Sequence, residues 1–481
     1  VSETLISEFS AAQLAQAVSG RLVRGQAEQR FTKVCIDSRT APTGCLYVAI
    51  KGERFDGHRF LPDAAAKGAA GAIIRAGARR RFRVGRSLAL IEVEDTLRAL
   101  GDLARFLRRA HPVPLVGITG SNGKTTTKEL LHAALTASKR AVLKSEGNFN
   151  NLVGVPLTLF GLARQHQAAV IEMGMNSFGE IARLTEICEP DVGLITSVAA
   201  AHTEGLGSIE GVARAKGELF AGLSASAVAV VNLDDEHIRH LPTPARRLTF
   251  SATEPQADVR GTLLADRGLE GLDFELEAAG ERVSVHLNLL GRHNLANALG
   301  AAAAAHALGV SLAAIATGLG NYRPFSKRLQ PTLAPEGYWV INDAYNANPA
   351  SMAAGLRAAA GVVQATGGRL FAVLGEMLEL GAVSEEAHRS VGRLCAELEA
   401  AALAYLDTGS GRLYGEGAEA GGLREVRPGA DHAEIASGLR RMLRPNDVVL
   451  VKGSRRTGME RAAELLLTPA EVRACACAPL P

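Results

Sequence analysis

The stretch VPLVGITGSNGKTTTKELLHAAL, from Val113 to Leu135, limits what this chain can fold into more than any other. An apolar run, Leu115-Val116-Gly117-Ile118, meets a glycine-bearing turn, and a helical pattern opens at Thr125. A strand that feeds a helix through such a turn is the setting of a phosphate-binding loop. Backbone N–H groups and the positive end of the helix dipole then face an anion. The spacing, however, is tight. The common loop reads G-x-x-x-x-G-K-[ST], whereas Ile118 stands where its first glycine would be and Gly120 gives G-x-x-G-K-T. Gly120, Ser121, Asn122, Gly123, Lys124, Thr125 and Thr126 are the candidate nucleotide contacts, with Lys124 reaching the terminal phosphates and the Thr125 hydroxyl binding Mg²⁺. The plain alternative is a glycine turn that only starts a helix and leaves Lys124 in solvent.

Around this loop the pattern is α/β. Apolar runs recur at Ala168–Ile171, Val192–Ile195 and Ala227–Val231, bounded by polar or glycine turns and separated by helical stretches. That is the signature of a parallel sheet covered on both faces. Alternation over Val283–Leu289 predicts a small half-exposed antiparallel addition, and Asn294–Leu308 a closing helix. A second, smaller doubly wound sheet is predicted from Trp339–Asn342, Leu370–Leu374 and Asp447–Val451. Short segments precede Pro112, where His111-Pro112 ends a basic helix. With 481 residues the chain exceeds one typical core, and the expected domains are 1–111, 112–324 and 325–481.

Charge is balanced, with 53 basic and 50 acidic residues, so nothing argues for nucleic-acid or membrane binding. The six cysteines (Cys35, Cys45, Cys188, Cys395, Cys475, Cys477) lack the C-x-x-C pairing of a zinc site and read as reduced thiols. The N-terminus carries no basic start followed by an apolar run, and Ala296–Leu308 is too short to span a bilayer. The expectation is a cytoplasmic, monomeric protein.

The string TGSNGKTT resembles the phosphate loop of the Mur ligase family, three-domain ATP-dependent enzymes of peptidoglycan assembly. Other strings fall in that family's order: DSR at 37–39, KGERFDGH at 51–58, GNFNNLVGVPLTL at 147–159 and EMGMNSFGEI at 172–181. They continue with AAHTEGLGSIEGVARAKGELF at 200–220, GRHNLANAL at 291–299, KRLQ at 327–330, NDAYNANPASM at 342–352, LGEMLELG at 374–381 and VKGSR at 451–455. The GNFNN, NSFGEI, AYNANPASM and LGEMLELG strings resemble the member that adds D-alanyl-D-alanine to UDP-N-acetylmuramoyl-tripeptide. A DNPR-type motif of the neighbouring diamino-acid ligase is not found. The resemblance implies ATP phosphorylating the tripeptide carboxylate, attack of the dipeptide amine on the acyl phosphate, and release of phosphate.

The same resemblance assigns the site. Glu172, at a strand's carboxyl edge, becomes a Mg²⁺ ligand rather than a solvated acid, and His202 a second-metal histidine rather than a structural one. Glu204 is left unassigned. Asn294 and Asn297, one helical turn apart, face adenine; the alternative is N-capping by Asn294. His293 belongs to that string more weakly. Arg328 reaches the γ-phosphate and Asp343 the ribose, although SKRLQ departs from the glycine-arginine spelling of relatives, and an exposed loop arginine is the alternative. Ser38 and Arg39 match contacts to the uridine diphosphate end, and Asn150 and Asn151 to the muramoyl-peptide. Lys452 and Ser454 fall near the incoming dipeptide, where a strand-end turn would look the same. Lys216 corresponds to a lysine the family N-carbamylates into a metal ligand; otherwise it is a solvated helix lysine. Two other classes remain in view. Asn232-Leu233-Asp234-Asp235 faintly resembles a guanine-reading N-K-x-D, with Leu233 in place of its lysine, and a folate-glutamate ligase would share the fold.

Overall fold

The structure is a computed structural model describing residues 5–52, 54–82, 87–200, 203–323 and 328–469. His202, Cys475 and Cys477 lie outside the described residues, as do the Glu204 side chain and the start of the KRLQ string. Three sheets, of five, nine and six strands, succeed one another along the chain.

The nine-stranded sheet carries the phosphate loop. Strand Leu115–Thr119 lies between Ala168–Glu172 and Val192–Ile195, parallel to both. All residues of these three strands are buried, which is why the sequence reads as unbroken apolar runs. From Leu115–Thr119 the chain winds outward through Val142–Lys144 and back, then crosses to the other side at Val192–Ile195. Ligands of open α/β sheets bind where this reversal parts the loops at the strands' carboxyl ends. The antiparallel addition is larger than the alternation at 283–289 suggests. Val259–Asp266, Leu272–Ala278 and Glu281–Leu287 form a meander continuous with the same sheet. The middle strand alternates buried and half-buried residues along its length. Its polar positions, such as Asp273, Glu275 and Glu277, hide it from a search for apolar runs.

The C-terminal sheet places Trp339–Asp343, Val448–Lys452 and Leu370–Leu374 side by side and parallel. The N-terminal sheet runs from Arg21–Arg24 through Ala89–Val93, Gly71–Arg75 and Leu46–Val48 to the edge strand Val34–Cys35. Among the described residues no helix is long and apolar enough to cross a membrane.

The helix Thr96–Ala110 joins the first two sheets. Asp95 caps it by accepting from the Leu97 and Arg98 amides. Ala99, Leu100, Leu103, Ala104 and Leu107 form its buried face. A Cβ on Gly101 would stand 2.6 Å from Ile187 Cδ1, so glycine sets the approach of this helix to Glu180–Cys188. Its basic end meets acids of the second region: Arg105 pairs with Glu186 and Glu189, Arg109 with Glu189, and Arg183 returns to Asp102. Arg108 is buried, donating to the Cys188 carbonyl and to Asp191, each at 3.2 Å. The basic run before His111-Pro112 is thus a docking surface as well as the end of a region.

Burial separates two of these arginines. Arg108→Ala should lower unfolding stability by about 1–3 kcal/mol, since it strips the partner from a buried carbonyl and a carboxylate. Arg109→Ala, on an exposed pair, should cost less than about 1 kcal/mol. Urea titrations of the two variants provide the comparison, and equal losses would show that burial of Arg108 is not what ties the regions together.

Candidate functional site

Two glycines explain the short loop. Gly120 has φ +149°, and a Cβ there would lie 2.0 Å from Thr196 Oγ1. Gly123 has φ +83°, and its Cβ would lie 2.1 Å from Asn297 Oδ1. Both positions need a conformation that side chains disfavour and an approach that a methyl group would block. The turn is therefore wedged between the end of strand Val192–Ile195 and the helix His293–Ala307. Ser197 takes up the inner loop amides: Ser121 N donates to its carbonyl at 2.7 Å and Asn122 N to its hydroxyl at 3.0 Å. The helix Lys124–Ala137 starts at Gly123 with no side-chain cap. Its first amides, from Lys124 onward, lack intrahelical acceptors and are the donors offered to an anion.

A cleft of about 1030 Å³ opens above this turn. It is lined by Ser121, Asn122, Gly123, Lys124, Thr125 and Thr126, by Asn150, Asn151, Glu172 and Lys216, and by Asn294 and Asn297. Arg328, Asp343, Lys452 and Ser454 line it from the C-terminal region. Glu172 ends one strand of the central sheet, while Asp343 and Lys452 end adjacent strands of the C-terminal sheet. The carboxyl ends of parallel strands from two mixed sheets thus face each other across it. Gly120 lies beneath the lining. Ser38 and Arg39 are not part of it: Ser38 is buried in the N-terminal region, and Arg39 pairs with Asp37 at 2.7 Å in solvent.

At the floor, the Thr125 hydroxyl donates to Glu172 Oε2 at 2.9 Å and accepts from Arg328 Nη2 at 2.9 Å. Asn150 Nδ2 donates to the other Glu172 oxygen at 3.0 Å. Lys124 Nζ donates to the Gly120 carbonyl at 2.7 Å. Burial holds the Lys124 ammonium below the usual lysine range, with Arg328 acting the same way and Glu172 opposing. Lys216 is 3% exposed, and burial, reinforced by Lys124, drives it well below that range. The Arg328 Nε is buried without a partner among the described residues. Such an unsatisfied cationic donor, beside two lysines and a helix start, suits phosphate oxygens.

Thr125 and Glu172 supply adjacent hard oxygens, a donor set that fits Mg²⁺. Among the described residues no group of three His, Cys, Asp or Glu side chains could hold a metal ion. A cation here would complete its shell with phosphate and water, as Mg²⁺ does.

The asparagines and Asp343 are already engaged. Asn294 does not cap the helix; it is buried inside the first turn, donating to the Leu290 carbonyl at 2.8 Å. Its Oδ1 accepts from Asn297 Nδ2, also at 2.8 Å. Asn151 caps the next helix through the Val153 and Gly154 amides. Burial pushes the His293 imidazole in the same cleft down to about 4. Asp343 accepts from Leu329 N at 3.2 Å and from Lys452 Nζ at 2.5 Å, and Lys452 also donates to the Asn346 carbonyl. Ser454 accepts from Leu378 N, fixing the LGEMLELG turn. The Asn232-Leu233-Asp234-Asp235 turn is built for structure: Asn232 donates to the Thr196 carbonyl and Asp235 accepts from Val198 N.

Sequence reasoning passed over three further groups. Tyr345 lies under the Arg328 guanidinium at 4.1 Å. Asn348 exchanges amide hydrogen bonds with Asn122 of the phosphate loop, the better at 2.8 Å, while capping the helix Pro349–Thr366. The N-P-x-S spelling carried the capping signal but no hint of the long-range partner. Lys128 is 1% exposed, donating to the Ser145 carbonyl at 2.7 Å and lying 3.7 Å from Glu172. Only its position one turn beyond Lys124 could have flagged it.

Comparisons with known proteins agree along the chain. Family models match residues 30–108 (Mur ligase family, catalytic domain), 118–305 (Mur ligase middle domain) and 327–455 (Mur ligase, glutamate ligase domain). The UDP-N-acetylmuramoyl-tripeptide–D-alanyl-D-alanine ligase of Escherichia coli K12 is 37% identical, covering 94% of this chain and 97% of its own length. A crystal structure of MurF from Acinetobacter baumannii superposes with a TM-score of 0.85 at 32% identity, covering 95% of this chain and 98% of that one. MurF ligase from Thermotoga maritima in complex with ADP gives 0.78 at 27% identity, covering 92% and 98%.

Lys124→Ala should reduce nucleotide turnover about 10²-fold or more, the scale of losing one charge-stabilising contact, while keeping a cooperative thermal transition, because burial already disfavours the ammonium in the folded chain. Gly123→Ala should weaken ADP binding by calorimetry, since Asn297 must move. Wild-type ADP affinity in Gly123→Ala would show that the tight turn is not what shapes the site.

Proposed function

The chain belongs to the Mur ligase family, and on that footing we propose that it joins D-alanyl-D-alanine to UDP-N-acetylmuramoyl-tripeptide at the expense of ATP. The observation that carries the reading is one shared cleft in which Lys124, Thr125, Glu172 and Lys216 meet Arg328 and Asp343 from the C-terminal region. The chemistry requires an anionic carboxylate to approach an anionic γ-phosphate, which needs concentrated positive charge and excluded water.

The helix start and Lys124 hold the phosphates in line. Arg328 directs its guanidinium, steadied on Tyr345, to the oxygens of the group in transfer. The tripeptide carboxylate attacks the γ-phosphorus, ADP departs, and an acyl phosphate forms. The amine of D-Ala-D-Ala then attacks the carbonyl carbon, and phosphate leaves as the amide forms. Mg²⁺, held by Thr125 and Glu172, would neutralise charge on the phosphate oxygens. Asp343 would accept from ribose hydroxyls, and the Asn294–Asn297 pair would face adenine. Asn150 holds Glu172 in place and, with Asn151, borders the peptide. Lys452 and Ser454 stand on the far wall, where they order Asp343 and the 374–381 turn beside the incoming dipeptide. Ser38 and Arg39 would meet the uridine diphosphate end of a substrate extending beyond the cleft. His202 takes its metal role from the family string alone.

Lys216 has its own chemistry. Burial and Lys124 favour the neutral amine, the form that adds to CO₂; loss of a proton leaves a carbamate, an oxygen-donating anion suited to a hard cation. Lys216→Ala should be nearly inactive and partly rescued by formate or acetate. Full activity of that variant without added carboxylate would leave Lys216 as a packing residue.

The reaction is tested by ADP release with ATP, D-Ala-D-Ala and a UDP-linked tripeptide ending in lysine or diaminopimelate. Turnover should require all three components. Turnover on reduced folate plus glutamate in their place would reassign the chain to the folate-ligase branch.

A further inference from the structure

Away from the cleft, the N-terminal sheet holds a pair of thiols that the ligase reaction does not use. Cys35 ends the edge strand Val34–Cys35, and Cys45 immediately precedes the neighbouring strand Leu46–Val48. The two strands are parallel, Val34 paired with Leu46 and Cys35 with Tyr47. Leu46 N donates to the Lys33 carbonyl at 2.8 Å and Thr32 N to the Gly44 carbonyl at 3.0 Å, so the backbones are pinned beside both cysteines. The sulfurs lie 3.0 Å apart and share a hydrogen bond. Cys45 lies diagonally from Cys35, two residues from its register partner Tyr47, so the side chains bring the sulfurs together and closing the bond draws the two strands nearer. Cys45 is fully buried, whereas Cys35 is half-buried and open to a small oxidant.

We propose that Cys35 and Cys45 are a modification site, an oxidisable dithiol that closes into a disulfide across the edge of the N-terminal sheet. The oxidant is a hydroperoxide. The Cys35 sulfur attacks its terminal oxygen, the O–O bond breaks, and Cys35 becomes a sulfenic acid while the thiol proton leaves with the departing alcohol or water. The Cys45 sulfur then displaces the sulfenic oxygen, which leaves as water with the Cys45 proton as the S–S bond forms. Two thiols are oxidised, one peroxide is reduced, and a small dithiol reverses the change by exchange.

The position gives the bond a consequence. Two residues beyond Cys35, Asp37 caps the turn Ser38–Thr40 through the Arg39 amide at 2.9 Å. A covalent tie at the root of this turn restricts the residues assigned above to the uridine diphosphate end, a step that rests on the proposed function. Oxidation should therefore change KM for the UDP-linked peptide at least twofold and leave KM for ATP unchanged.

Trypsin separates the two cysteines into Val34–Arg39 and Thr40–Lys51. The full chain is treated with hydrogen peroxide, alkylated and digested without reductant. The expected product is these two peptides linked, two hydrogens lighter than their sum, released by dithiothreitol and absent from Cys35→Ser. Peptide mapping keeps this signal apart from any pairing of Cys475 with Cys477. Separate, alkylated peptides after peroxide, or Cys35 sulfinic acid beside an intact Cys45 thiol, would overturn the dithiol. Linked peptides with an unchanged KM for the UDP-linked peptide would overturn the coupling to the turn and leave the ligase reading intact.

Discussion

The close approach of two glycines to their neighbours organises this molecule. Gly120 fits under Thr196 and Gly123 over Asn297, with no room for a methyl group at either. The turn is short because it is packed on both sides. The same packing brings Thr196 and Ser197, from the next strand, into hydrogen-bonding range of the loop, so that Thr196 Oγ1 donates to the Asn122 carbonyl at 2.5 Å. The central sheet, the phosphate-loop helix and the helix bearing Asn294 and Asn297 are therefore positioned by one contact region. A longer loop would free the backbone from those supports.

Charge is arranged around that turn in a way that costs stability and serves binding. Lys124, Lys216 and Arg328 line the cleft with Glu172, and Lys128 lies between Glu172 and Glu129 beneath it. Part of the imbalance is relieved by hydrogen bonds to carbonyls, as Lys124 makes with Gly120 and Lys128 with Ser145. Burial opposes that charge further at Lys216, whose ammonium it holds well below the usual lysine range, with Lys124 acting the same way. The remaining positive potential is preorganised for the phosphates and carboxylate that the reaction brings together. Unsatisfied donors such as Arg328 Nε are what a site built for an anionic ligand retains.

The cleft belongs to two sheets, and polar contacts span it. Arg328 reaches Thr125, and Asn348 clasps Asn122. The second of these joins a helix cap in the C-terminal region to the phosphate loop itself, so movement of that region is felt directly where the nucleotide would sit. The N-terminal sheet is tied in differently, through the helix Thr96–Ala110 and its ion pairs to the central region.

Much was legible in the sequence because it depends on local order. Buried parallel strands show as apolar runs, the phosphate loop as glycines before a lysine and a helix, and the site strings as short spellings along the chain. Strand Leu272–Ala278 alternates apolar and polar residues as 283–289 does, so its signal lies in period two and not in apolar runs. Nor could spacing show that Arg328 sits on Tyr345, that Asn348 finds Asn122, or that Lys452 spends its charge on Asp343. The sequence by itself determined the α/β class, the phosphate-binding turn and the kinds of side chain available to it. Tertiary structure decided which of them share one cleft, which are consumed in holding the walls, and how burial sets their charge. Those outcomes depend on distances between elements far apart in the chain, and local patterns carry no record of them.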